Sequence, residues 1–578
     1  MKNSSYSSQV FLLIVVFGNL FCYDHQGATM PRVLISVLSE SKGHTLPYFL
    51  SCLENLEYPK ECIDVWIKAE DTHEESLQII QDWAERNEPL YNDIQIHFNI
   101  TAPPEIHEPY DEPNSATRKD RHLIDVREEA LTYARTTDND YVFMLDADVF
   151  LTEADTLMLL VMRRYAAVAP MLVSDEAYSN FWLSWSKDLN EEDTKTYMHL
   201  VKRERRFLGC CQPPLVFSAV LISLKHHLTK YITYDPKNIS HYEGPENHVA
   251  AFAESAKRAA YYINICLTGI KARLCNDIFF GYILAPADTL AESQQKLVDL
   301  KLDAIRREKP IPLHPTLEGF VSYPKRSKLF CDNIYMINLN RRPERKNMML
   351  LNFKELGMEV MRVPAVDGTM LNHRILKTLK ITLMKNYEDP YHKRPMKAGE
   401  VGCFLSHYNI WKTIVQKQYK LTMVLEDDVH FKPRFRENFA QILSETRDVD
   451  YDFIYLGRKI LMEAEEEIVT PHTTKPLYSY WTVGYIITYR GAKKLLDAKP
   501  LQKMLPVDEY IPIMFDSHPN STWKSYFPNR NLIALSANPL LIYPTHYVGM
   551  PGYISDTEVS YILDLKNMRS NPDVAKKP

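Results

Sequence analysis

The sequence predicts an α/β protein built from two tandem GT-A-like, that is Rossmann-like, domains, and three observations carry that expectation. Apolar runs rich in β-branched residues alternate with stretches of helical spacing from Arg32 onward, as in βαβ units with a mostly parallel sheet. After a polar, proline-spaced interval the same alternation restarts near Asn333. A chain of 578 residues is also too long for one core, since a domain averages roughly 150 residues. Hydrophobic residues make up 45% and charged residues 25%, an ordinary globular composition that excludes wholesale disorder. Glycine is scarce at 17 residues, about 3% against a usual value of about 7%, so the chain is not itself collagen-like. A formal charge of −6 gives no electrostatic basis for binding nucleic acid or an anionic membrane surface.

The elements follow in order. Lys2 precedes an apolar run from Val10 to Phe21, which has the length of a signal-peptide core and falls short of the roughly 20 residues of a membrane span. Residues 1–24 are therefore expected to be a signal peptide, and no later stretch reads as transmembrane. The first domain is expected over 30–285, with the strand VLISVLS, the helix HTLPYFLSCLENL and the strand DVWIKA as its opening. The helix DVREEALTYARTT then leads into the strand YVFMLDADVFL, and AAVAPML and PLVFSAVLIS continue the alternation. Residues 286–327 read as a linker, a polar helix followed by spaced prolines. The second domain, 328–550, opens with the strand NIYMINLN, the helix RRPERKNMMLLNFKELGM and the strand EVMRVPAV. The apolar rhythm fades near Pro551, so 551–578 is expected to be a peripheral tail. Sequons at Asn99, Asn238 and Asn520 agree with a luminal, secretory location, where the cysteines beyond Cys22 form an even set whose pairing stays open.

There is no GxGxxG, Walker loop, GxSxG, HExxH or CxxC, and no His-x-Asp for a facial-triad iron site. What remains is acidic residues at strand ends. Of four Asp-x-Asp pairs, only Asp146-Ala-Asp148 directly follows an apolar strand, and ligands of open α/β sheets bind beyond the carboxyl ends of strands. Two carboxylates on one face there are either ligands for Mg²⁺ or Mn²⁺ carrying a nucleotide diphosphate, or a turn and helix cap. In the second half, Thr422-Met-Val-Leu425 runs into Glu426-Asp427-Asp428; three consecutive acids after an apolar strand are costly unless a cation or donors compensate them. Arg341, Arg342, Arg345 and Lys346 at a helix start are suited either to phosphate or to solvent. Asp508-Glu509, acids within the apolar LPVDEYIPIMF, are candidates for the base that activates an attacking hydroxyl. His546 is a candidate to complete a manganese shell, whereas His407 reads first as a hydrogen-bonded core residue. Tyr478, Tyr480, Trp481 and Tyr485 read as core packing, with a sugar or peptide groove as the alternative.

The segments INLNRRPERK, VPAVDG, KAGEVGCFLSHYNIWKTIV, VLEDDV and PTHYVGMPGYISDTE, in that order and spacing, resemble glycosyltransferase family 25. The first half, with VLISVLSES, LDADVFLT and HYEGPENHVAAFAESAK, looks like the amino-terminal half of animal members of that family. The resemblance implies two GT-A-like folds and Mn²⁺-dependent, inverting transfer of galactose from UDP-galactose to hydroxylysine in collagen-like chains of the endoplasmic reticulum. It implies Asp146 and Asp148 as a metal-and-diphosphate motif, Glu426, Asp427 and Asp428 as the second acidic motif, and Asp508 and Glu509 as a PVDE element. Arg341 and Arg345 join the donor site, and Asp428 is counted with the catalytic acids. Two departures stand out: the chain ends in Val574-Ala-Lys-Lys-Pro578 where relatives carry an RDEL-type retrieval tetrapeptide, and Gly244-Pro-Glu-Asn-His248 is less acidic than the family segment. They leave open a second reading, a non-catalytic secretory protein that binds collagen or a cell-surface partner through the same folds. A homodimer is compatible with the sequence.

Overall fold

The computed structural model describes residues 22–23, 29–71, 74–100, 114–174, 177–184, 190–260, 269–462, 464–546, 550, 555–557 and 560–562. The signal-peptide reading of 1–24 falls almost entirely outside the described residues. No helix among the described residues is long and apolar enough to cross a membrane. The chain divides into two compact units, Met1–Leu297 with Ile311–Val321, and Val298–Pro310 with Ser322–Pro578.

Unit 1 is built on eight strands: β1 Val33–Glu40, β2 Ile63–Asp71, β3 Asp93–Ile100, β4 Tyr141–Asp146, β5 Ala167–Pro170, β6 Cys210–Cys211, β7 Ala219–Ser223 and β8 Arg273–Cys275. Their order across the sheet is β6-β8-β5-β7-β4-β1-β2-β3. The first seven residues of β1 are all buried, which explains why VLISVLS is continuously apolar or small: a central strand covered on both faces has no solvent side to alternate toward. Strands β3, β2, β1 and β4 run parallel, as the βαβ pattern predicts. The expectation of a mostly parallel sheet fails at β7, which is antiparallel to both neighbours, β4 and β5. Cys210 and Cys275, opposite each other on β6 and β8, form a disulfide; Cys52, Cys211, Cys331 and Cys403 are free thiols among the described residues.

Unit 2 repeats the plan with β9 Asn333–Asn338, β10 Met361–Pro364, β11 Leu421–Leu425, β12 Val429–Phe431, β13 Phe453–Ile460, β14 Ile468–Thr470, β15 Thr473–Thr474, β16 Ser479–Thr488, β17 Ala534–Ala537 and β18 Ile542–Pro544. Its eight-stranded sheet has the order β10-β9-β11-β16-β13-β17-β15-β14, with β12 and β18 paired separately. Here antiparallel pairings outnumber parallel ones, because β16 reverses against both β11 and β13 and two short strands close the far edge. Strand alternation divides the core in two. Tyr335, Ile337, Val424, Tyr485 and Ile487 pack on one face with Trp411, while Ile334, Met336, Met423, Leu425 and Ile486 pack on the other with Phe353. Each fully buried aliphatic or aromatic side chain of this kind contributes roughly 1.5–3 kcal/mol, so both faces must stay covered.

The shared feature positions the acids. In each unit the strand that carries them, β4 or β11, lies between one parallel and one antiparallel neighbour, and the acidic residues emerge just at its carboxyl end. This is the crevice position where the strand order reverses.

Candidate active site

In unit 1, Asp146 closes β4 and Asp148 follows it by two residues, and both are half-buried. Each already faces a cation. Arg127, from helix α1 Asn114–Thr136 and only 5% exposed, pairs with Asp146, and Lys42, just past β1, donates from Nζ to Asp148 Oδ2 at 2.9 Å. Burial, which the Lys42 charge only partly opposes, and the neighbouring Asp146 push the Asp148 carboxyl above the usual carboxylate range. The Asp148 Oδ1 atom is buried with no hydrogen-bond partner among the described residues. An orphaned carboxylate oxygen is costly to bury, and a bound cation or a ligand hydroxyl satisfies it.

His248 begins helix α2, His248–Arg258, where Asn247 caps the first turn by accepting from Ala250 N at 2.8 Å. Burial and the Arg127 charge push the His248 ring down to about 3. Its folded pKa lies below the roughly 6.5 of an unfolded histidine, so the group costs nothing above that pH and destabilises as pH falls through it. We expect the midpoint of thermal unfolding to drop between pH 7 and pH 5, by an amount corresponding to about 1–2 kcal/mol from this group. A His248→Gln variant followed by calorimetry at both pH values should show a visibly smaller drop.

In unit 2 one pocket gathers most of the predicted residues: Arg341, Arg345, Glu426, Asp427 and Asp428 all line it. Helix α3, Pro343–Glu355, presents Arg345 from its first turn; the guanidinium Nη1 lies 3.4 Å from Asp427 Oδ1 and 3.5 Å from Asp428 Oδ2. Asn338 at the end of β9 donates to Asp427 Oδ2 at 2.6 Å. Burial raises the Asp427 carboxyl despite these two donors. Burial acts the same way on Glu426, but His407 and Thr482 outweigh it and hold that carboxyl below its usual range. Thr482 Oγ1 donates to Glu426 Oε1 at 2.6 Å.

Helix α4, Ala398–Lys417, supplies a further wall through Cys403, Ser406 and His407, three residues that share one face. Close packing needs glycine here: a Cβ on Gly402 would lie 2.4 Å from the Val366 carbonyl oxygen, and one on Gly399 would lie 2.8 Å from Ser560 Oγ. His407 is fully buried, and its Nδ1 lies 2.9 Å from the Tyr485 hydroxyl. The core readings of His407 and of Tyr485 therefore agree with where both residues sit.

Residues beyond Pro551 also enter the pocket, contrary to the expectation of a peripheral tail. Ser555, Asp556, Thr557 and Ser560 line it, and the Asp556 carboxylate accepts from Arg342 Nη2 at 2.8 Å and from Arg341 Nη1 at 2.5 Å. Burial opposes the ionised form of Asp556, but the Arg342 and Arg341 guanidinium groups prevail and hold it below the usual range. At the start of α4, Gly399 N donates to Ser560 Oγ at 2.9 Å and Ala398 N to the Tyr561 carbonyl at 3.0 Å, which ties these two residues to the helix end.

Asp508 and Glu509 sit in the first turn of helix α5, Val507–Met514, and differ sharply in environment. Glu509 is 2% exposed and accepts from Tyr478 Oη at 2.8 Å and Tyr480 Oη at 2.5 Å, with His518 Nε2 at 2.8 Å. Asp508 is half-buried; burial first, then the charges of Glu509, Glu400 and Glu426, push its carboxyl well above the usual range. Tyr478 and Tyr480 thus serve Glu509 and not a general core. Glu509→Ala should take the buried acceptor away from Tyr480, His518 and Tyr478, of which Tyr478 keeps only Tyr480 Oη at 3.1 Å, and cost about 3–5 kcal/mol of stability, read as a lower denaturation midpoint in urea.

His546 follows Thr545, whose N–H donates to the Asp428 carbonyl at 2.6 Å, but the His546 ring lies 3.7 Å from Glu308 and does not line the pocket. Asn99 and Asn238 are exposed, while Asn520 is half-buried with its Oδ1 capping the helix Ser521–Ser525. Sequence reasoning passed over Lys42, Arg127, Cys403 and Asp556.

The similarities to known proteins agree with this division. A family description reading "Glycosyltransferase family 25, N-terminal domain" matches residues 30–301, and "Glycosyltransferase family 25 (LPS biosynthesis protein)" matches residues 331–511. A glycosyltransferase 25 family member of Drosophila melanogaster is 42% identical over 551 residues, spanning 92% of this chain and 87% of the relative. Procollagen galactosyltransferase 2 of Homo sapiens is 37% identical over 561 residues, spanning 94% and 86%. Likeness to solved structures is far weaker: a mannosyltransferase of Pyrobaculum calidifontis, in complex with GDP-Man and Mn²⁺, matches 50% of this chain and 68% of its own at 16% identity and a TM-score of 0.25. On the sequence relatives and the two consecutive family matches, the chain belongs to glycosyltransferase family 25 and is a glycosyltransferase with both domains of that family in tandem.

Proposed function

We propose that this chain transfers galactose from UDP-galactose to the hydroxyl of hydroxylysine in collagen-like chains, with inversion at the sugar carbon, in the lumen of the endoplasmic reticulum. The observation that carries the reading is the pocket of unit 2, which three consecutive acids line together with Arg341 and Arg345, in a chain related to a procollagen galactosyltransferase. Arg341 and Arg345 are suited to bind and orient the donor diphosphate, which takes over the contacts now made by Asp556. The hard oxygens of Asp427 and Asp428 fit Mn²⁺, and Asp146 with the unpartnered Oδ1 of Asp148 fits a cation in unit 1. When bound, Mn²⁺ supplies Lewis-acid stabilisation of the departing diphosphate. Asp508 is the base: its raised carboxyl favours taking the proton from the hydroxylysine oxygen as that oxygen attacks. Glu509, beside Asp508 in the same helical turn, holds Tyr478, Tyr480 and His518 in place.

The test incubates the purified chain with UDP-galactose, Mn²⁺ and unfolded collagen, and measures added hexose by mass. Incorporation should require hydroxylated collagen and should stop with EDTA. Binding of collagen without incorporation under these conditions would replace the transferase reading with a binding one.

A further inference from the structure

The wall of the unit 2 pocket holds a second constellation, which shares Glu426 with the acidic motif and leaves out Asp427, Asp428 and the arginines. Cys403 and His407 lie one helical turn apart on α4, and Glu426 comes from the end of β11. A ligand atom from each of the three lies within 4.8 Å of the others. A thiol, an imidazole and a carboxylate brought to one point make a set that suits a borderline cation better than a hard one.

A second observation is independent of that clustering. His407 is completely buried, yet its Nε2 has no hydrogen-bond partner among the described residues. Glu426 Oε1 lies 3.5 Å from it, beyond good hydrogen-bond length. The other ring nitrogen is fixed: Nδ1 lies against the Tyr485 hydroxyl, which also accepts from Trp411 Nε1 at 3.1 Å. A histidine held through one nitrogen while the other lies 3.5 Å from a carboxylate, with a thiol in the same cluster, has the arrangement of a metal-ligating ring with its supporting partner.

We propose that Cys403, His407 and Glu426 bind Zn²⁺ as a site separate from the Asp427 and Asp428 oxygens, with its fourth position open to the pocket. The sulfur–zinc bond forms as the Cys403 thiol gives up its proton to solvent, and the Nε2 lone pair and one Glu426 oxygen complete the protein ligands. Three protein ligands leave a position for water or for an oxygen of a bound ligand. The inference does not depend on which sugar or acceptor the enzyme uses.

The probe is Co²⁺, which reports a thiolate ligand through a near-ultraviolet charge-transfer band. The full-length chain, reduced and freed of metal, is titrated with Co²⁺ in excess Mn²⁺, which occupies the hard oxygens. We expect a band that saturates at one equivalent, disappears in Cys403→Ser and persists in Cys211→Ser. His407→Gln should weaken Co²⁺ binding by about tenfold or more. Because His407 is a core residue, the conservative Cys403→Ser carries the test, and its circular dichroism should match the parent. Zn²⁺ should displace the band stoichiometrically. Absence of the band in the parent chain, or its persistence in Cys403→Ser, would overturn the proposal. Galactose transfer is assayed on the same samples, so a parent chain that transfers galactose and shows no band refutes this site alone, and a parent chain with the band and no transfer refutes the assigned reaction alone.

Discussion

Asp427→Ala combined with Asp428→Ala is expected to abolish transfer, lowering kcat/KM by about 10³-fold or more, equivalent to about 4 kcal/mol of transition-state stabilisation. Residues Leu421–Leu425 are held in register by β9 on one side and β16 on the other, so the backbone leaves Asp427 and Asp428 at a fixed point of the pocket. Both carboxylates lie within 3.5 Å of the Arg345 guanidinium in that pocket. The fold should tolerate the change, because both side chains are half-buried and Arg345 keeps Asp556 as a partner at 3.6 Å. A thermal midpoint within a few degrees of the parent, measured together with the lost rate, separates a chemical defect from unfolding. Retention of more than a tenth of the parent rate would remove these acids from the reaction.

The second large effect is expected at Asp508. Asp508→Asn keeps the shape of the side chain and removes the ability to take a proton, so kcat should fall by about 10²–10⁴-fold while the KM for the donor stays within a few-fold. The pH profile adds a readout that a merely structural role would not move. A base works only when ionised, and burial together with Glu509, Glu400 and Glu426 favours the protonated form of Asp508. Activity of the parent should therefore decline as pH falls through a value above the ordinary carboxylate range, and Asp508→Asn should lose that limb. The neighbouring Glu509→Ala differs in kind, since its three donors tie it to the fold and its main effect is on stability.

How much of this was legible in the sequence depended on distance along the chain. The strands Tyr141–Asp146 and Leu421–Leu425 and the acids that end them are local, and an apolar run stopping at consecutive carboxylates can be read without knowing the fold. Strand direction is not local: β7 and β16 are as apolar as their parallel neighbours, and only pairing decides which way they run. The same limit hid the compensating charges. Arg127 sits 19 residues before Asp146 in a helix, and Asp556 reaches Arg342 across 214 residues. Asp508 and Glu509 are adjacent and look equivalent, yet successive helical positions point apart, so one meets two tyrosines and a histidine while the other stays near Glu426. His407 was legible as a buried histidine, whereas the direction of its Nε2 required Cys403 and Glu426 to be in place.

The central claim is that the Glu426-Asp427-Asp428 pocket, with Arg341 and Arg345, holds the galactose donor. It is tested most directly by calorimetric titration of UDP-galactose, in Mn²⁺, into the parent chain, Arg345→Met and Asp146→Asn/Asp148→Asn. The expected result is donor binding that Arg345→Met weakens by about tenfold or more, consistent with loss of a charge-assisted contact of about 1.5–3 kcal/mol, with the Asp146/Asp148 variant retaining the unit 2 affinity. Unchanged binding in Arg345→Met, with all binding lost in the unit 1 variant, would contradict the claim and move the donor to Asp146 and Asp148.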